Sequence, residues 1–157
     1  MKTTQSTIYI TYIHATPEKV WQALIDPAFT RQYFMGRAIE IEPKVGGRFR
    51  LLMEDGQTDT EGVVKVWDPP HRLTVTWNVV WIPEFRDFPE AIVTYDLRTV
   101  GGMVKLTMTE EHPTPIEEKH LEGGRQGWPL ILSGLKTLLE TGRALPRFEP
   151  ASLKEMS

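Results

Sequence analysis

Residues 124–142 read GRQGWPLILSGLKTLLETG. Trp128, Ile131, Leu132, Leu135, Leu138 and Leu139 recur at the spacing of one helical face, which predicts an amphipathic helix. Pro129 suits its first turn and Gly142 its C-terminal cap. What that apolar stripe packs against decides the fold.

Upstream, the pattern changes. From Ile39 to about Glu111 the apolar residues alternate with period two. AIEIEP forms a short strand, and RFRLLME alternates Phe49, Leu51 and Met53 with Arg48 and Arg50. EGVVKVW and LTVTWNVVW follow, the latter alternating Leu73, Val75, Trp77, Val79 and Trp81. AIVTYDLR puts Val93, Tyr95 and Leu97 on one side, and MVKLTMTEE does the same with Val104, Leu106 and Met108. Gly46-Gly47, EDGQTD, DPPHR and Gly101-Gly102 are turns between them. Short strands joined by tight turns imply an antiparallel meander.

At the front, STIYITYIH (6–14) is β-branched and aromatic, so it reads as a strand. Thr16-Pro17-Glu18 then opens a helix with an N-cap, a first-turn proline and an acid at the positive helix end. Asp26-Pro27 ends it, and a second short helix covers Ala28 to Tyr33. HPTPIEEKHLEGG reads as a polar loop before the long helix. ALPRFEPASLKEMS reads as a loosely ordered tail, 143–157, after a core of about 6–142 within one domain, 1–157. The order is β, α, α, six β, long α. A sheet with one apolar face needs a cover, and the last helix is long enough to supply it.

Composition narrows the function. The chain has 157 residues, 18 basic and 21 acidic, for a formal charge of −3. That balance argues against a nucleic-acid partner, which needs a basic face. With no cysteine, thiolate catalysis and disulfides are excluded, and a reducing compartment fits. MKTTQSTIYITYIHATPEKVW carries no signal-peptide pattern, and no apolar run reaches membrane-spanning length, so the expected compartment is the cytoplasm and no membrane partner is expected.

Five segments in this order resemble the START-like helix-grip (SRPBCC) superfamily, and within it the Aha-type domains, named for the activator of heat-shock-protein ATPase. They are ATPEKVWQALIDP (15–27), VGGRFRL (45–51), EGVVKVWDPPHRLTVTW (61–77), VTYDLRTVGGMVKLTMTEE (93–111) and GWPLILSGLKTLLE (127–140). The resemblance implies an α+β fold in which a curved antiparallel sheet of six to seven strands grips the C-terminal helix, with a cavity between. Its members include lipid carriers, polyketide cyclases and aromatases, and cochaperone domains, so it fixes fold better than function.

On that fold the expected cavity lining is Phe49, Met53, Trp77, Tyr95, Leu106, Met108, Trp128 and Leu132, unless those side chains simply fill a core. The loop at 77–90 carries Trp77, Trp81, Phe85 and Phe88, which either cover the cavity mouth or plug the end of the sheet. Continuing the alternation past Met108 turns Glu110 and His112 inward, as proton-transfer groups or as members of a rim salt bridge with Arg50 or Arg125. Tyr33, Tyr95 and Arg50 are candidate polar anchors, although a protein carbonyl would satisfy a tyrosine equally well. The acidic and histidine residues of 109–120 lack metal-ligand spacing and read as a solvated surface. No phosphate loop, nucleophile elbow or nucleophile–base set is present, so no catalytic residue, metal or cofactor is assigned. The expected partner is a small apolar or aromatic ligand. An enzyme of the cyclase, aromatase or hydrolase kind and a chaperone-associated module are the alternatives, and a homodimer stays open.

Overall fold

The computed structural model describes residues 2–149, with side chains from Ser6 onward. Seven strands form one antiparallel curved sheet: β1 (Lys2–Ile13), β2 (Ala38–Ile41), β3 (Arg48–Leu52), β4 (Thr58–Asp68), β5 (Arg72–Val79), β6 (Ala91–Val100) and β7 (Met103–Glu117). Their spatial order is β1-β7-β6-β5-β4-β3-β2, so only β1 crosses over, and every other neighbour follows in sequence. Two short helices, α1 (Pro17–Ile25) and α2 (Pro27–Tyr33), lead from β1 to β2. The long helix α3 (Glu122–Thr141) ends the described fold.

Local chemistry sets the short helices. The Thr16 side chain accepts from Lys19 N and caps α1, while Asp26 closes α1 and accepts from Ala28 N to cap α2. At the far end, Gly142 takes a left-handed φ of 76° and caps α3 through Leu138 O, a conformation that costs glycine little. Gly134 lets α3 approach α2 closely, since a Cβ there would lie 3.3 Å from the Tyr33 Cβ.

The period-two reading locates the core face. Phe49 and Leu51, Leu73 and Val75, Val93, Tyr95 and Leu97, and Val104, Leu106 and Met108 are all buried. They meet Trp128, Ile131, Leu132, Leu135 and Leu138 of α3, with Ile13, Val20 and Leu24, in one continuous cluster. Each such side chain contributes roughly 1.5–3 kcal/mol when fully buried.

Strand β1 runs from Lys2 to Ile13 rather than 6–14, and two later segments depart further from the sequence reading. The expected polar loop after Glu111 is instead a continuation of β7 to Glu117. β6 pairing stops at Ile92–Glu111, while β1 pairing continues to Lys2–Glu117 across a register shift between Thr3 and Gln5. Pro113 and Pro115 fall where β7 has lost its β6 neighbour and its β1 register is broken, which is where a strand tolerates a missing N–H. Helix α3 also begins earlier, at Glu122, so Pro129 lies in its interior rather than in its first turn. Proline brings no N–H to the helical ladder at that position.

Of the expected loose tail, 143–149 has no regular structure but lies against the fold. Arg147 bonds to Glu54 and Glu149, its guanidinium rests on Gly36, and Phe148 packs against the core. The remainder of that tail lies outside the described residues.

Candidate functional site

The groove between sheet and helix is filled at one end and hollow at the other. Along the inner face of β7 the residues run Val104, Leu106, Met108, Glu110, His112. The first three are fully buried. Around Tyr33, Phe49, Leu73, Trp77 and Tyr95 only a void of about 10 Å³ remains. Beyond Met108 the alternation delivers two polar side chains, and there a cavity of about 840 Å³ opens. It lies between the ends of β5, β6 and β7, the loop at 80–90 and the N-terminal half of α3.

An aromatic wall separates the two regions. Trp77 and Trp128 lie 5.3 Å apart between ring centroids, Phe34 lies 5.6 Å from Trp128, and Phe49 lies 5.4 Å from Trp77. Phe34, Trp77 and Trp128 all face the cavity. Ala91, opposite Trp77 in the β5–β6 register, withholds volume from it.

One polar group is built into this wall. Glu110 Oε2 accepts from the Trp128 indole Nε1 at 2.6 Å, and Glu110 Oε1 lies 3.1 Å from His112 Nε2. The two side chains are 12% and 15% exposed. An ionised carboxylate only accepts, so in this contact the His112 ring donates through Nε2. Gly124 allows the carboxylate to sit against the first turn of α3, since a Cβ there would be 3.1 Å from Glu110 Oε1. Nearby, burial and then the Glu110 charge push the Tyr9 hydroxyl up to about 12. The same two causes raise Tyr95, and burial followed by the neighbouring Tyr95 raises Tyr33.

At the mouth, the loop at 80–90 contains a single 3₁₀ turn, Pro83–Phe85, and Arg86 Nε closes it onto Val80 O at 2.6 Å. The Phe85 and Phe88 rings lie 5.0 Å apart, tilted to one another, and His120 packs 4.7 Å from Phe88 across the opening. On the other rim, Asp59 is bound by Arg37 Nε at 2.8 Å in a buried ion pair and also accepts from the Thr60 hydroxyl.

Trp77, Trp81, Glu110, His112 and Trp128 therefore lie on the cavity wall. Tyr33, Phe49 and Tyr95 border only the small void, and the Tyr33 hydroxyl is satisfied by Ala23 O at 2.8 Å. Leu106, Met108 and Leu132 are packed core, and Met53 sits half-buried past the end of β3, bordering neither space. Facing inward does not by itself mean facing the hollow; depth along the strand decides. Arg50 pairs with Glu40 at 2.6 Å across the β2–β3 register, away from Glu110, so it is no anchor inside the cavity. Phe34, Asp59, Asn78, Ala91 and Ile116 line the cavity and were not singled out by pattern. The small side chains of Ala91, Gly123 and Gly124 were the available signal, because bulk is absent where space is kept.

Among the described residues no group of three His, Asp or Glu could hold a metal ion, and no helix is long and apolar enough to cross a membrane.

Known proteins give the same architecture. The chain is similar in structure to protein MLL2253 from Mesorhizobium loti, with a TM-score of 0.72 and 26% identity over 86% of this chain and 96% of that one. CalU16 from Micromonospora echinospora matches with a TM-score of 0.70 and 23% identity over 88% and 78%. PFC0360w, an HSP90 activator from Plasmodium falciparum, matches with a TM-score of 0.69 and 23% identity over 85% and 95%. A comparison with curated protein sequences gives no match. The family model described as activator of Hsp90 ATPase homolog 1-like protein matches residues 14–140, and with the seven-stranded sheet gripping α3 this places the chain in that family.

Proposed function

We propose that the protein binds a small hydrophobic or aromatic molecule in the cavity beneath the N-terminal half of α3. The observation that carries this is the cavity itself: about 840 Å³, walled by Phe34, Trp77, Trp81, Phe85, Phe88 and Trp128. Sites for small molecules are concave, mostly apolar and fitted with few polar groups, and this volume lies in their usual range. Tight packing elsewhere in the groove makes the hollow a local feature rather than a loosely filled core. The experiment is titration with 2-methylnaphthalene, followed through the indole N–H resonances of Trp77 and Trp128. Saturable shifts at both, lost on Ala91→Phe, support the reading; no shift at either indole overturns it.

A second reading, proton transfer on the bound molecule, is favoured by the orientation of His112. Glu110 holds the imidazole by Nε2 and leaves Nδ1 outside that bond, on a residue that lines the cavity. His112→Asn would then abolish turnover of a bound substrate without weakening its binding.

A further inference from the structure

We infer that the molecule held in this cavity is an aromatic or polycyclic amine, a planar apolar body carrying a cationic nitrogen that pairs with Glu110. The inference rests on the cavity-binding reading above and adds the charge of the occupant.

Glu110 is a mostly buried carboxylate midway along β7, and such a group is costly unless it is compensated. Its partners supply only partial compensation: one neutral indole N–H and one imidazole N–H. Among the described residues no Lys or Arg lies within salt-bridge distance of it. Each carboxylate oxygen accepts twice, so two of four acceptor positions are used and two remain.

The basic groups near the cavity are committed elsewhere. Arg37 holds Asp59. Arg125 reaches Glu118 and Glu122 at 3.5 and 3.7 Å. Lys119 is exposed and reaches Glu117 at 3.4 Å. The lining also includes Glu84 and Glu122, and the Asn78 amide oxygen is enclosed without a donor. Lys119, His112 and His120 also line the cavity, but its enclosed polar groups without a cationic partner, Glu110 and the Asn78 amide oxygen, are acceptors. Trp77 and Trp128 line the same cavity as Glu110, and an ammonium over an indole is attracted by the ring quadrupole.

Three probes of one shape separate charge from hydrophobicity: 2-(aminomethyl)naphthalene, 2-methylnaphthalene and 2-naphthoate, titrated calorimetrically into the whole protein at about pH 8. The amine is expected to bind about tenfold more tightly than the hydrocarbon, and the carboxylate more weakly than either. In Glu110→Gln, which keeps an acceptor for Trp128, the ratio of amine to hydrocarbon affinity falls to about one. A role confined to positioning Trp128 would leave that ratio unchanged, and this result overturns the inference. So does a carboxylate that binds as well as the amine, a comparison that needs no variant. If the hydrocarbon binds and the amine gains nothing, the cavity reading stands and the charge assignment falls; if none of the three binds, both fall.

Discussion

The indole of Trp128 donates to Glu110 at 2.6 Å, tying the gripped helix to the strand that crosses from the packed half of the groove into the hollow half. The bond sits at the boundary between a close-packed interior and a cavity.

Removing the acceptor has a defined cost. Glu110→Ala leaves a buried indole N–H unsatisfied, so unfolding stability falls by roughly 1–3 kcal/mol. Glu110→Gln retains an acceptor and loses less. Urea denaturation of both variants at neutral pH checks the order; equal stabilities would mean the bond carries no weight.

Neighbouring glycines at the start of α3 respond differently to the same substitution. Nothing lies within 4 Å of a Cβ added at Gly123, whereas one added at Gly124 meets Glu110 Oε1 at 3.1 Å. Gly123→Ala therefore gains up to about 1 kcal/mol from helix propensity. Gly124→Ala gains less, because the carboxylate must shift. Thermal melts of the two variants side by side give the comparison.

Truncation along α3 maps filled against hollow space. Leu135 is fully buried in the closed half, so Leu135→Ala costs roughly 2–5 kcal/mol. Ile131 borders the cavity and already lacks partners on one side, so Ile131→Ala falls at or below the lower end of that range. Equal losses would indicate a uniformly packed groove.

Alkaline pH weakens the fold. Tyr9, Tyr33 and Tyr95 all have raised hydroxyls, chiefly through burial. The folded state then keeps protons that the unfolded chain releases near its ordinary value of about 10. Stability is full below that pH and falls as pH rises above it, for Tyr9 until about 12. Tyr9→Phe should reduce the slope of stability against pH above that point, read by denaturant titration at stepped pH. An unchanged slope would show that Tyr9 is solvated.

Much of the architecture was legible because it depends on local periodicity. The Thr16 cap, the Gly142 stop and the inward rows of β3, β5, β6 and β7 follow from spacing alone. The extension of β7 was not, since Pro113 and Pro115 argue against a strand unless one knows that β6 has already ended beside them. The early start of α3 was hidden by Gly123, Gly124 and Gly127, poor helix formers that the fold uses for close approach and open space. Glu110 and His112 were placed on the inner face by alternation. The Trp128 bond, the Arg37–Asp59 pair and the outward turn of Arg50 depend on tertiary neighbours that spacing does not contain.

The most direct test is crystallographic. Crystals soaked in 2-bromonaphthalene are predicted to give one strong anomalous bromine peak between Trp77, Ala91 and Trp128, with the Leu106, Met108 and Leu135 side unchanged. Cavity walls collapsed onto one another, with no bromine inside, would contradict the account.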